Sequence, residues 1–80
     1  QFQLYPNPTN ENINLIVPQT LGYDYKIDIY DFVGRVIISI DNKYHRTFHS
    51  INLSSFETGY YKIVVKYNDG EIWNKSFLKN

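Results

Sequence analysis

The chain has eighty residues, no cysteine and no methionine, and eight acidic residues balance eight basic ones. That length makes one domain, and a domain this small buries only about 60% of the surface its unfolded chain exposes. The missing thiols exclude disulfide staples, thiolate metal sites and thiol catalysis, and the even charge balance leaves no basic stripe for nucleic acid. Aromatic residues, 18% of the chain, are therefore the main stabilising resource, since each buried ring removes roughly 150–250 Å² from water. The longest apolar runs, such as Val36-Ile37-Ile38, are too short to span a membrane. With no initiator Met and no basic-then-apolar leader near Gln1, residues 1–80 are expected to be a single C-terminal domain excised from a larger secreted protein.

Taken in chain order, the apolar positions alternate with a period of two. Strands are predicted over residues 2–5, 12–17, 24–30, 35–40, 47–53, 60–67 and 71–78. Ile13, Leu15 and Val17 share one parity, as do Tyr25, Ile27 and Ile29, with Asp24, Lys26 and Asp28 between them. Tyr61, Ile63 and Val65 repeat the pattern against Lys62 and Lys66. Successive strand side chains point to opposite faces, so each run has one buried and one wet face. The expected core is Ile13, Leu15, Ile27, Ile29, Val36, Leu53, Tyr61, Ile63 and Val65.

Punctuation separates the runs. Pro6 and Pro8 bracket an early loop and remove donors from an edge, and Pro18 ends the second run. Asp31-Phe32-Val33-Gly34 reads as a tight hairpin, with Gly34 at positive φ. Gly59 closes the loop that begins at Ser54 and is also expected at positive φ, and Asn68-Asp69-Gly70 is a hairpin turn. Seven short strands with such turns predict an all-β, immunoglobulin-like antiparallel β-sandwich. The register of the last strand stays open. Either Trp73 and Phe77 face inward, bringing Lys75 with them, or Ile72 and Leu78 do.

No constellation carries chemistry. His45 and His49 fall on a loop and a strand without a carboxylate cluster, and read as exposed residues at a strand entry. Asp24 and Asp28 sit on the presumed wet face, and Asp31 sits where its carboxylate can bond a turn. Ser54 and Ser55 have no basic partner, and four scattered glycines make no phosphate loop. Catalytic, metal and cofactor sites are thus all expected to be absent. Tyr23, Tyr30, Tyr60, Tyr67 and Trp73 read as cross-strand pairs, the alternative being an exposed row that stacks on sugar rings.

Leu4-Tyr5-Pro6-Asn7-Pro8-Thr9 resembles the opening signature of the C-terminal sorting domains of the type IX (Por) secretion system of Bacteroidetes, type A. The likeness continues in order. Ile27-Asp28-Ile29-Tyr30-Asp31-Phe32-Val33-Gly34-Arg35 is similar to the family's hairpin, and Ile51-Asn52-Leu53-Ser54-Ser55-Phe56 with Gly59-Tyr60-Tyr61 to its next motif. Asn68-Asp69-Gly70 and the basic ending Lys75-Ser76-Phe77-Leu78-Lys79-Asn80 also fit, while Glu11 stands where the family usually has glycine.

The resemblance implies a non-catalytic signal that directs a fused N-terminal cargo from the periplasm across the outer membrane to the cell surface or beyond. Its implied partners are the outer-membrane translocon and the attachment and processing machinery, without membrane insertion. The residues that carry the motifs are Tyr5, Pro6, Asn7, Pro8, Asp31, Gly34, Leu53, Gly59, Tyr61, Lys75 and Lys79. An accessory sandwich that binds carbohydrate or mediates adhesion is the alternative.

Overall fold

The structure is a computed structural model that describes residues 1–19, 24–43 and 46–80. Seven strands form among them: β1 (Gln3–Tyr5), β2 (Asn12–Ile16), β3 (Tyr25–Tyr30), β4 (Val36–Asn42), β5 (Phe48–Asn52), β6 (Gly59–Tyr67) and β7 (Gly70–Lys79). All strand pairs are antiparallel, in a three-stranded sheet ordered β1-β2-β5 and a four-stranded sheet ordered β4-β3-β6-β7. This is the immunoglobulin-like sandwich that the alternation predicts.

Strand parity builds the core. Ile13 and Leu15 from one sheet meet Ile27, Ile29, Ile63 and Val65 from the other, all fully shielded from water. Val17, Ile51, Leu53, Tyr25, Tyr61 and Phe77 complete the cluster, and Phe2, Leu4, Phe56 and Trp73 pack on its rim. Eight of the nine expected core residues are buried.

Val36 is the exception, half exposed at 50%. Ile29 pairs with Ile38 and Tyr30 with Val36, so a bulge inserts one residue between them. The extra residue flips the parity, turning Val36 outward with Tyr30 and bringing Ile38 and Ile40 against the core. Two further expectations are corrected. Asp28 points away from the core, yet it is buried, because it lies on a central strand beneath Ser39 and Lys66. His49 is buried too, since it shares the inward parity of Ile51 and Leu53. Tyr23 and His45 lie outside the described residues.

The register of β7 follows the first alternative. Val65 pairs with Trp73, Ile63 with Lys75 and Tyr61 with Phe77. Phe77 is buried, and Trp73 stacks on Phe2 with centroids 4.8 Å apart and planes 7° from parallel. Lys75 has the same parity but remains exposed, because β7 is an edge strand.

Two turns set the hairpins. In the first, the Gly34 N–H donates to the Asp31 carbonyl (3.0 Å), the Asp31 N–H donates to the Arg35 carbonyl (2.9 Å), and Gly34 has φ +90°. This is the three-residue hairpin loop that ends in a left-handed residue. In the second, Asn68 (φ 50°) and Asp69 (φ 64°) fill a two-residue loop with both residues left-handed, as a type I′ turn requires. Gly59, at φ +157°, borders on extended backbone, and a Cβ there would meet nothing within 4 Å.

Gly34→Ala is therefore expected to cost about 1 kcal/mol through its φ alone, since space is open around it. Asp69→Gly should instead raise the melting temperature, because glycine relieves the left-handed position. Thermal unfolding of the two variants checks both signs.

Candidate functional site

The first loop and the last strand, seventy residues apart, close on each other. The Thr9 N–H donates to the Leu78 carbonyl (2.9 Å), and the Asn80 N–H donates to the Thr9 carbonyl (2.8 Å). The Leu78 N–H donates to Asn7 Oδ1 (3.1 Å), so a side-chain amide stands in for a strand's carbonyl. Asn80 Nδ2 adds a bond to Asn10 Oδ1 (3.1 Å), and the Thr9 hydroxyl donates to the Asn12 carbonyl. A parallel bridge between Thr9 and Lys79 results, and Thr9 is buried. Pro6 and Pro8, which have no N–H to leave unpaired, flank Asn7, and both peptide bonds preceding them are cis. These contacts form a terminal clasp.

The other motifs arrive at the same end of the sandwich. Lys79 pairs with Gly59 on its other side, so the ladder runs from β6 through β7 to Thr9. Tyr61, two residues on, stacks with Phe77 and sends its hydroxyl back to the Glu57 carbonyl (2.5 Å). A tyrosine early in the sixth strand that ties down the preceding loop is the tyrosine corner of immunoglobulin-like sandwiches. Burial, with Glu57 and Asp31 nearby, pushes the Tyr61 hydroxyl above its ordinary pKa.

Leu53 is fully buried and anchors that loop, its N–H bonding the Glu11 carbonyl (2.7 Å) and its carbonyl accepting from Phe56 (2.9 Å). The hairpin tip follows. Asp31 Oδ1 accepts the N–H groups of Arg35 (2.9 Å) and Val33 (3.1 Å), and Oδ2 takes Arg35 Nε (2.8 Å). The Arg35 backbone bond, then its side chain, hold the carboxyl below its usual range.

Tyr60 is the exposed centre of this end, 67% accessible. It lines a hollow with Asn7, Pro8 and Leu78, and another with Asp31, Phe32 and Glu57. Beside it Phe32 projects from the hairpin tip, 80% exposed. Tyr5 is partly exposed at the entry to the clasp. Of the two basic residues in the ending, Lys75 reaches solvent, whereas Lys79 is buried with its ammonium on the Asn80 carbonyl (3.1 Å).

Two polar groups that the alternation leaves unremarked are buried elsewhere. The Tyr25 hydroxyl donates to the Arg46 carbonyl (2.6 Å) and lies 2.8 Å from His49 Nε2. Its single hydrogen is spent on the carbonyl, so His49 Nε2–H is the donor to the phenol oxygen. The pair bridges the two sheets edge to face. Burial pushes Tyr25 up to about 12 and, with Arg46 nearby, pushes His49 below its ordinary value. On the outer face Asp28 takes Ser39 Oγ (2.7 Å) and Lys66 Nζ (3.1 Å), and Lys66 also reaches the Tyr30 hydroxyl (2.5 Å). The Tyr30 hydroxyl, then Asp28, raise the Lys66 ammonium above its ordinary value. Among the described residues no three carboxylate or imidazole groups converge as metal ligands.

The family model described as the secretion system C-terminal sorting domain matches residues 3–79. The chain belongs to that family. A sorting domain of this kind is the C-terminal signal for type IX secretion, which exports proteins across the outer membrane to the surface or the medium. The family is a sorting signal and is not known as a catalytic one. No curated protein matches the chain. Several residues named by the resemblance lie at one end of the sandwich: Asn7 and Gly59 flank the last strand, Tyr61 pins the loop before β6, and Asp31 closes a hairpin. Thr9, at the end of the opening motif, and Leu78 and Asn80, in the basic ending, belong to the same clasp, as does Asn10, which lies outside the quoted motifs.

Tyr61→Phe keeps the ring and deletes one hydrogen bond, so it is expected to cost about 1 kcal/mol in chemical denaturation. His49 sets a pH dependence. Its folded pKa lies below the unfolded value of 6.5, so the unfolded state binds the proton first. Stability attributable to His49 is then complete above about pH 6.5 and declines as pH falls through the folded pKa. Denaturation midpoints between pH 7 and pH 5 should fall in the wild type and fall less in His49→Gln.

Proposed function

We propose that the sorting domain is read as a folded object, and that the clasped end of the sandwich is the part the outer-membrane machinery recognises. The observation that carries this reading is the clasp itself, in which residues 7–10 and 78–80 share one hydrogen-bonded unit. A signal split between the two ends of its sequence exists as one surface only after the sandwich has closed. The cargo, fused upstream of residue 1, would cross the inner membrane, fold in the periplasm and then be carried outward with the domain. Tyr5, Pro6, Asn7, Pro8, Asp31, Gly34, Leu53, Gly59 and Tyr61 act by shaping this end, and Tyr60 and Phe32 supply its exposed aromatic surface. Its partners in this reading are the translocon and the attachment and processing machinery, together with the fused cargo.

Fusions of a periplasmic reporter to residues 1–80 test the reading in cells that carry the type IX system. The intact fusion should reach the surface or medium, and should stay in the periplasm of translocon-deficient cells. Deleting residues 75–80 removes the outer half of β7 and the clasp, so export should be lost. Asn7→Ala removes one clasp bond at a cost of about 1 kcal/mol, and should lower export while circular dichroism still reports a folded sandwich. Export that persists without the domain or without the translocon overturns the proposal.

A further inference from the structure

The clasp closes only part of an edge, and the open part has a specific chemistry. Both backbone groups of Leu78 point away from β6, because its N–H meets Asn7 and its carbonyl meets Thr9. Strand backbone groups alternate in direction, so those of Ser76 and Asn74 point the same way. No backbone hydrogen bond or neighbouring strand among the described residues reaches them. They are a short row of unpaired donors and acceptors on the longest strand of the fold, directly beside the clasp.

Lys75 lies between them. Its register partner on β6 is Ile63, a fully buried residue, and its neighbours of like parity, Trp73 and Phe77, both pack on the core. Lys75 itself is exposed, with no hydrogen bond or ion pair among the described residues. An inward-pointing charge on an edge strand resists casual strand pairing. It also resists a second copy of this chain. The two-fold antiparallel register that uses Asn74 and Ser76 on both copies sets Lys75 opposite Lys75, a like-charge pair.

We infer that the open edge of β7 at Asn74–Ser76 is a strand-addition site for an extended segment of a partner protein that places a carboxylate opposite Lys75. The backbone groups supply affinity, and the lysine selects an acidic strand over an apolar or basic one. This rests on the sorting reading for the partner's being part of the export machinery, and not for the binding geometry.

The direct test titrates the isotopically labelled 80-residue chain with a capped extended hexapeptide of alternating Val and Thr carrying one central Glu, followed by NMR. Saturable shifts should be confined to the amides of residues 73–77. The same peptide with Lys in place of Glu should bind roughly five- to tenfold more weakly, and Lys75→Glu should reverse that preference. Asn74→Pro removes an outward N–H that β6 does not use, so it should abolish binding without unfolding the sheet. If that variant unfolds, the charge reversal decides alone. Absence of saturable shifts at these amides, or equal binding of the two peptides, overturns the inference. In cells the two readings separate: export lost on deleting the domain but normal in folded Lys75→Glu refutes an edge role in export and leaves the sorting reading intact.

Discussion

The exchange of backbone hydrogen bonds between Thr9 and the end of β7 is the contact on which the rest of this sandwich depends. Chain ends are where small domains fray first. Here the outermost strand would otherwise end unpaired, next to the strand that carries Tyr61, Ile63 and Val65. Thr9 extends the ladder by one position beyond β7, and Asn7 adds a side-chain carbonyl that accepts from the Leu78 N–H. A sandwich without cysteine thus obtains, from four hydrogen bonds, a closure over seventy residues that secreted domains of this size often obtain from disulfides.

The remaining polar groups of the interior follow the same economy. Among the described residues every buried side-chain nitrogen and oxygen has a partner. Tyr25 and His49 join the two sheets at one end, while the clasp and the tyrosine corner close the other. Asp28 lies on the outer face of the four-stranded sheet, bound by Ser39 and by Lys66, which also bonds Tyr30. A buried carboxylate without such partners would be strongly destabilising, which makes its register between β4 and β6 a specified one. With the interior satisfied in this way, the clasped end leaves large aromatic side chains exposed: Tyr60, Phe32 and part of Tyr5.

Much of this architecture was legible in the residues. The alternation around Ile13, Ile27 and Ile63 located the sheets and most of the core, because burial on one face imposes a period of two. Val36 faces outward because a bulge changes parity without any mark in the apolar pattern. His49 had a readable signal in its parity with Ile51 and Leu53, but an imidazole is polar and is buried only with a partner such as Tyr25, which the sequence does not place. Asp28 required knowing that β3 is central and that Lys66 lies across from it, which is topology. The clasp is the clearest case. Asn7 and Leu78 are seventy-one positions apart, and neither carries local evidence of the other. The type IX resemblance singled out both ends of the chain, and the fold supplies the reason they occur together.

Amide hydrogen exchange, followed residue by residue in the 80-residue chain, tests the clasp most directly. The amides of Thr9, Leu78 and Asn80 should be protected well beyond their unfolded rates and open together as one unit. In Asn7→Ala all three should exchange faster, while Ile63 and Val65 keep most of their protection. Exchange of Thr9 and Asn80 at unfolded rates in the intact domain, or independent opening of the two, would contradict it.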